Sequence, residues 1–253
     1  MKQIPNLFTL LNLCLGCIAI LFTLQTGETL LNIDGFEWKI YFPEKITWAA
    51  LCIAGAAVVD FLDGFVARLM KADSEMGKQL DSLSDVVSFG VAPGMILFQL
   101  LRLAFASQPS GLETSLMWMS PAMLIPLAAA WRLARFNIDT SHREHFSGLP
   151  VPAAGLVIAS LPLIALYGSS GTQAMLINTW VLYVFILVLA GLMVSRIPLM
   201  SFKFKHFGFA ENLPRYLLIM ASIPLILLLQ WLSVPALFIT YILLSLLFKN
   251  RLK

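Results

Sequence analysis

The chain has little charge. Only 12% of its 253 residues are Asp, Glu, Lys or Arg, where a soluble domain carries about 25%. Hydrophobic residues reach 59% and the mean hydropathy is +0.84. That balance excludes a water-soluble fold and excludes intrinsic disorder. Cysteine is also scarce: Cys14, Cys17 and Cys52 all lie inside apolar blocks. They read as small buried hydrophobes, not as a redox pair or a disulfide framework. No cysteine lies in the acidic cluster at 60–85 and His142, His145 and His206 lie outside it, so its ligand set is not of zinc type. The net charge of +3 comes from scattered residues, with no basic patch, and no nucleic-acid partner is expected. Neither an internal repeat nor a long soluble linker is visible. The usual mark of inverted-repeat transporters is therefore missing, and one membrane domain is the simplest organisation.

What is present is a series of apolar blocks of about 20 residues, the length that crosses a bilayer's hydrocarbon core. Eight spans are predicted, at 7–25, 46–69, 77–106, 116–137, 150–168, 174–195, 214–231 and 234–248. The last two are separated only around Ser233 and form either a bent hairpin or a re-entrant pair. Leu24-Gln25-Thr26-Gly27 makes a poor cleavage site, so the first block is a helix and not a signal peptide. With the N-terminus in the cytoplasm, 14 of the 17 Lys and Arg residues fall in cytoplasmic segments, leaving Lys39, Lys45 and Arg102 outside. The positive-inside rule then places both termini in the cytoplasm. The expected fold is an all-α integral membrane bundle of about eight helices.

Four carboxylates break the apolar pattern. Asp60 and Asp63 close the second span; Asp81 and Asp85 open the third. Residues three or four apart share a helix face, and the short turn at about 70–76 makes the two helices antiparallel neighbours, so both pairs can converge near the cytoplasmic surface. An Asp at the centre of a membrane helix costs roughly 2.5–3.5 kcal/mol, and four like charges repel one another besides. Arg68 alone cannot balance them. Divalent cations can, and an all-oxygen carboxylate set suits Mg²⁺ or Mn²⁺. Gly64, Ala67 and Gly77 serve either close helix packing or the approach of a ligand to the backbone. A carboxylate-held pair of ions beside a bilayer points to phosphoryl chemistry, with one carboxylate free to take a proton. A divalent-cation transporter is the alternative from another class, though it leaves the cytoplasmic placement of the charges unexplained.

The string Asp60-x₂-Asp63-Gly64-x₂-Ala67-Arg68-x₈-Gly77-x₃-Asp81-x₃-Asp85 resembles, at every fixed position, the signature of the CDP-alcohol phosphotransferases. Ile4-Pro5-Asn6-Leu7, Ser88 to Pro93, Arg132 to Asn137 and Phe146 to Ala153 are similar to the phosphatidylserine synthase branch. The resemblance covers about the first six spans. It implies a six-helix core at 1–213 and an added C-terminal pair with a basic tail at 214–253. It also implies that Asp60, Asp63, Asp81 and Asp85 hold two Mg²⁺ or Mn²⁺ ions, with Asp85 acting as the base. Asn6, Asp63, Gly64, Ala67, Arg68 and Gly77 would line the nucleotide and diphosphate pocket. The donor would be CDP-diacylglycerol, the acceptor serine, the products phosphatidylserine and CMP, and the enzyme a homodimer in the cell (cytoplasmic or inner) membrane with its site facing the cytoplasm.

Arg132, Arg135 and Asn137 end the fourth span on the same side as the aspartates. A serine carboxylate pairs well with an arginine fork, so these three are candidates for the acceptor site. Each arginine also serves equally as a cytoplasmic anchor or a contact with anionic lipid. Ser82, Ser84 and Ser88 are read as bonding neighbouring backbone. Ser147 lacks a nucleophile-elbow context. The same chemistry with glycerol phosphate or an inositol-type acceptor is the nearest rival.

Overall fold

The computed structural model describes residues 4–25, 32–34, 37–39, 44–70, 74–108, 113–138, 146–200 and 208–248. His142, His145 and His206, the turn residues 71–73 and the basic tail 249–253 lie outside these. The helices are α1 (Ile4–Leu24), α2 (Lys45–Met70), α3 (Glu75–Asp85), α4 (Ala92–Ala106), α5 (Leu124–Ile138), α6 (Val151–Tyr167), α7 (Ser170–Leu176), α8 (Thr179–Val194), α9 (Phe209–Leu229) and α10 (Ser233–Leu247). A π-helical turn at Val86–Val91 joins α3 to α4, and a 3-10 segment at Leu116–Met123 leads into α5. Two short antiparallel ladders interrupt the helical pattern: β1 (Asn32–Asp34) with β2 (Glu37–Lys39), and β3 (Phe146–Ser147) with β4 (Pro198–Leu199).

Among the described residues, five helical runs can cross a membrane by length and composition, or six if the bent pair α7–α8 is one span. The differences from the eight predicted blocks have local causes. α6 is only 17 residues long, short for a full crossing. The block at 174–195 is bent by 67° between α7 and α8, where the Asn178 side chain accepts from the Trp180 and Val181 amides and starts a new helix. The run from Asn212 to Leu247 passes the length test as one piece, although Gln230 takes a φ of 48° between α9 and α10 and the two helices pack against each other.

The pattern of burial is inverted relative to a soluble protein. On α1 the buried positions are Pro5, Thr9, Asn12, Gly16, Ala19 and Thr23, a stripe of 3–4 spacing, while Leu7, Leu10, Leu11, Leu21 and Leu24 face outward. Leucine gains nothing by leaving lipid for protein, so small and polar residues take the inner face. Cys14 and Cys17 are free but lie on the outward face of α1. The expectation that they are buried fails because their helical phase is that of the leucines.

The inner stripe of α1 is fastened along its length. Ser84 Oγ donates to the Thr9 carbonyl and Ser88 Oγ to the Asn12 carbonyl, both at 2.9 Å, and Gln99 Nε2 to the Thr23 carbonyl at 3.2 Å. These bonds run in one order along both elements, so α1 and the α3–α4 rod are parallel. Gly16 makes the approach possible, since a Cβ there would stand 2.4 Å from Ser88 Oγ and 2.8 Å from its Cα. A Cβ at Gly90 would meet that of Ala129 at 2.9 Å, and one at Gly155 would meet Phe89 at 3.1 Å. The π-helical turn is thus clasped by α1, α5 and α6, with Phe89 fully buried at its centre.

Gly16→Leu is expected to lower folded stability by about 1–3 kcal/mol through overpacking. Gly191→Leu, where a Cβ meets nothing within 4 Å, should leave it nearly unchanged. Thermal unfolding of the two variants in detergent checks the contrast.

Candidate active site

The helix phases bring one end of α1, α2, α3 and α5 together. α3 begins at Ser74, whose side chain accepts from the Gly77 amide at 3.0 Å, a cap that sets the phase of Asp81 and Asp85. One carboxylate oxygen from each of Asp60, Asp81 and Asp85 lies within 4.8 Å of the others. Asp63 is not in that trio: 7% exposed, it accepts a short hydrogen bond from Thr9 Oγ1. Asp60 and Asp63 differ by about 60° in helical phase, and this lets Asp60 reach the trio while Asp63 turns to α1. The expected convergence of four carboxylates is therefore three with a fourth beside them.

Two unit charges 4.8 Å apart repel by roughly 3.5 kcal/mol at an effective dielectric constant of about 20, and the trio contains three such pairs. Three carboxylate oxygens at this spacing, with no nitrogen or sulfur among the donors, fit a hard divalent cation.

α1 supplies polar groups that composition alone did not single out. Asn12 is fully buried and its Nδ2 donates to Asp85 Oδ1 at 3.3 Å, while its own Oδ1 has no hydrogen-bond partner. Thr9 is 2% exposed. The 3-residue spacing of Asn6, Thr9 and Asn12 in an otherwise apolar helix is the signal that locates them. Asn6 stands against Gly77, where an added Cβ would come within 3.1 Å of its Oδ1. Gly64 behaves differently: a Cβ there would meet nothing within 4 Å. Packing therefore accounts for Gly77, whereas the backbone at Gly64 is bare, next to a half-buried Ala67 and an exposed Arg68.

The three candidates on α5 separate. Arg132 is half-buried, has Asp85 and Tyr241 of α10 as electrostatic neighbours, and carries a buried Nε without a hydrogen-bond partner. Asn137 Nδ2 donates to Ser82 Oγ at 2.8 Å, tying α5 to α3. Arg135 instead donates to the Val194 carbonyl at 3.3 Å, where it meets the negative end of α8. Of the three, Arg132 is the one with an aspartate as an electrostatic neighbour. Ser82, like Ser84 and Ser88, bonds a backbone carbonyl, that of Lys78 at 3.2 Å.

The profile of the CDP-alcohol phosphatidyltransferase family matches residues 2–190. A CDP-diacylglycerol–serine O-phosphatidyltransferase of Bacillus subtilis is 33% identical over 220 residues, covering 84% of this chain and 97% of that protein. One from Mycobacterium leprae is 32% identical over 206 residues, or 79% of this chain, which spans only 58% of the relative's length. An archaetidylserine synthase of Methanothermobacter thermautotrophicus is 31% identical over 183 residues, 72% of this chain and 66% of the relative. On the family match, which extends through all four aspartates, this chain is a multi-pass membrane protein belonging to the CDP-alcohol phosphatidyltransferase family.

Proposed function

We propose that the protein transfers the phosphatidyl group of CDP-diacylglycerol to L-serine, giving phosphatidylserine and CMP. The observation that carries this reading is the carboxylate trio of Asp60, Asp81 and Asp85 at the end of a lipid-exposed bundle whose sequence belongs to the family. The names of the bacterial relatives favour serine as the acceptor. Asp60, Asp81 and Asp85, with Asp63 beside them, would hold Mg²⁺ or Mn²⁺, two ions in all, which when bound neutralise diphosphate oxygens and charge on the departing nucleotide.

The chain's own residues do the rest. Asn6, Asp63, Gly64, Ala67, Arg68 and Gly77 line the nucleotide and diphosphate pocket, Gly64 by leaving its backbone open and Arg68 by pairing with phosphate. Asp85, held by Asn12, takes the proton of the serine hydroxyl. The serine oxygen then bonds to the phosphorus that carries the diacylglycerol, the bond from that phosphorus to the bridging diphosphate oxygen breaks, and CMP leaves with the electron pair. Arg132, whose Nε has no protein partner, receives the serine carboxylate, and Arg135 and Asn137 border that end of the site. The acyl chains remain in the bilayer.

This reading has the site facing the cytoplasm in the cell membrane, both termini on that side and eight spans in all, in keeping with the distribution of Lys and Arg. It takes 1–213 as the catalytic core and 214–253 as an added pair and tail, in a homodimer.

Purified protein given CDP-diacylglycerol, serine and Mn²⁺ or Mg²⁺ should release CMP and label lipid, and a chelator should abolish this until the metal is restored. Turnover only with another alcohol overturns the serine assignment and keeps the family chemistry. Asp85→Asn should lose CMP release while retaining donor binding, and strong residual turnover would place the base elsewhere. Asp60→Asn should shift the metal titration upward by about 10-fold or more, read by donor binding as well as by turnover; an unmoved titration removes Asp60 from the metal site.

A further inference from the structure

α1 meets the acidic site through two side chains, Thr9 and Asn12, and the backbone of each is fixed to the α3–α4 rod. Their carbonyls accept from the fully buried Ser84 and Ser88, both at 2.9 Å. Two such bonds, three residues apart on α1 and four apart on the rod, set both the slide and the rotation of one against the other. The side chains then address different carboxylates. Thr9 Oγ1 donates to Asp63 Oδ2 on α2, and Asn12 Nδ2 donates to Asp85 Oδ1 at the end of α3 at 3.3 Å. A three-residue step turns a helical side chain by about 60° and lifts it by about 4.5 Å, so neighbours on one face of α1 can serve two elements.

Local bonding accounts for neither side chain. The Thr9 hydroxyl has one proton and two acceptors in reach, the Pro5 carbonyl of its own helix at 3.2 Å and the Asp63 carboxylate. The charged acceptor makes the stronger bond, and the hydroxyl is drawn from the backbone bond that threonine in a helix otherwise makes. Asn12 is fully buried. An ionised carboxylate only accepts, so the amide must present Nδ2 to Asp85, and its Oδ1 is left with no partner. Stranding a buried carbonyl destabilises a fold, whereas a leucine of similar size would strand nothing. Packing alone therefore does not call for asparagine at position 12.

We propose that Thr9 and Asn12 are positioning residues that divide the aspartates between two tasks: Thr9 holds Asp63 apart from the trio as a ligand for a second cation, and Asn12 aims Asp85 at the acceptor hydroxyl. This rests on the transferase reading given above. Mn²⁺ binding to the purified protein without substrates reads the first task, and kcat at saturating Mn²⁺ reads the second. Thr9→Val keeps the shape and removes the hydroxyl. It should weaken the second Mn²⁺ about 10-fold while kcat at saturating metal moves by less than about three-fold. Thr9→Ser, which keeps the hydroxyl, should restore wild-type binding. Asn12→Leu should lower kcat about 10-fold, the worth of one bond to a charged group, with Mn²⁺ binding and the KM for CDP-diacylglycerol within about three-fold. Its unfolding temperature should not fall, because removal of the stranded carbonyl offsets the lost bond. Asn12→Ala gives the same kcat readout should the leucine not fit.

The proposal is overturned if Thr9→Ser binds Mn²⁺ no better than Thr9→Val, if the wild type binds a single Mn²⁺, or if both Asn12 variants keep the wild-type kcat. It also falls if the Thr9 and Asn12 substitutions change the same quantity, or if the losses track a lowered unfolding temperature, as loosened packing of α1 would produce. The transferase reading is tested separately, by whether the wild type releases CMP. Should it do so only with another alcohol, kcat is read with that alcohol and the outcomes are the same. No CMP release with any alcohol overturns the transferase reading and the Asp85 task with it, while the Mn²⁺ comparison at Thr9 still decides the other.

Discussion

The arrangement turns on mutual repulsion among acidic groups held at one end of an apolar bundle. Asp60, Asp81 and Asp85 place oxygens within 4.8 Å of one another, a geometry that ionised carboxylates do not choose in a low-dielectric setting. They are kept there by packing that has nothing to do with charge. Gly16, Gly90 and Gly155 admit α1, α5 and α6 against the rod that carries Asp81 and Asp85, and the helical phase of α2 delivers Asp60. The energy that holds the trio together is thus close van der Waals contact and buried serine-to-carbonyl bonds. The divalent cation proposed for this site would supply what the protein leaves unbalanced.

Around this point the molecule divides labour by depth in the helix layer. The outward surfaces of α1, α8 and α9 carry large apolar residues such as Leu21, Leu187, Met220 and Leu227, suited to acyl chains. The inner surfaces carry Thr9, Asn12, Ser84 and Ser88, all nearly or fully buried. The donor lipid proposed above, with its diphosphate head, would need both surroundings. The π-helical turn directly after Asp85 places its looser hydrogen-bond pattern beside the site, as such turns often do.

The α5 side of the molecule is tied in by later elements. Asn137 ties α5 to α3 through Ser82, Arg135 ties α5 to the end of α8, and Tyr241 and Ser245 hold the strand that follows. Arg132 emerges among these with an unpartnered Nε. Two arginines three residues apart thus do different things, because one faces the carboxylates and the other the negative end of a helix.

Much of this was legible in the residues alone. Low charge and 20-residue apolar blocks require a membrane bundle, since no soluble core could bury so much apolar surface. The spacing of Asp60, Asp63, Asp81 and Asp85 marks the site, because a helix of fixed pitch puts such residues on one face. Periodicity carries no information about which helix lies opposite, and there tertiary structure decided. It set Asp63 on Thr9, brought Asn12 to Asp85, bonded Arg135 to the end of α8, put Cys14 and Cys17 on the outer face, and joined α10 to Met200. The hydrogen bonds among these outcomes join residues 41 to 73 positions apart, and they depend on how glycine-lined surfaces fit together and not on any local pattern.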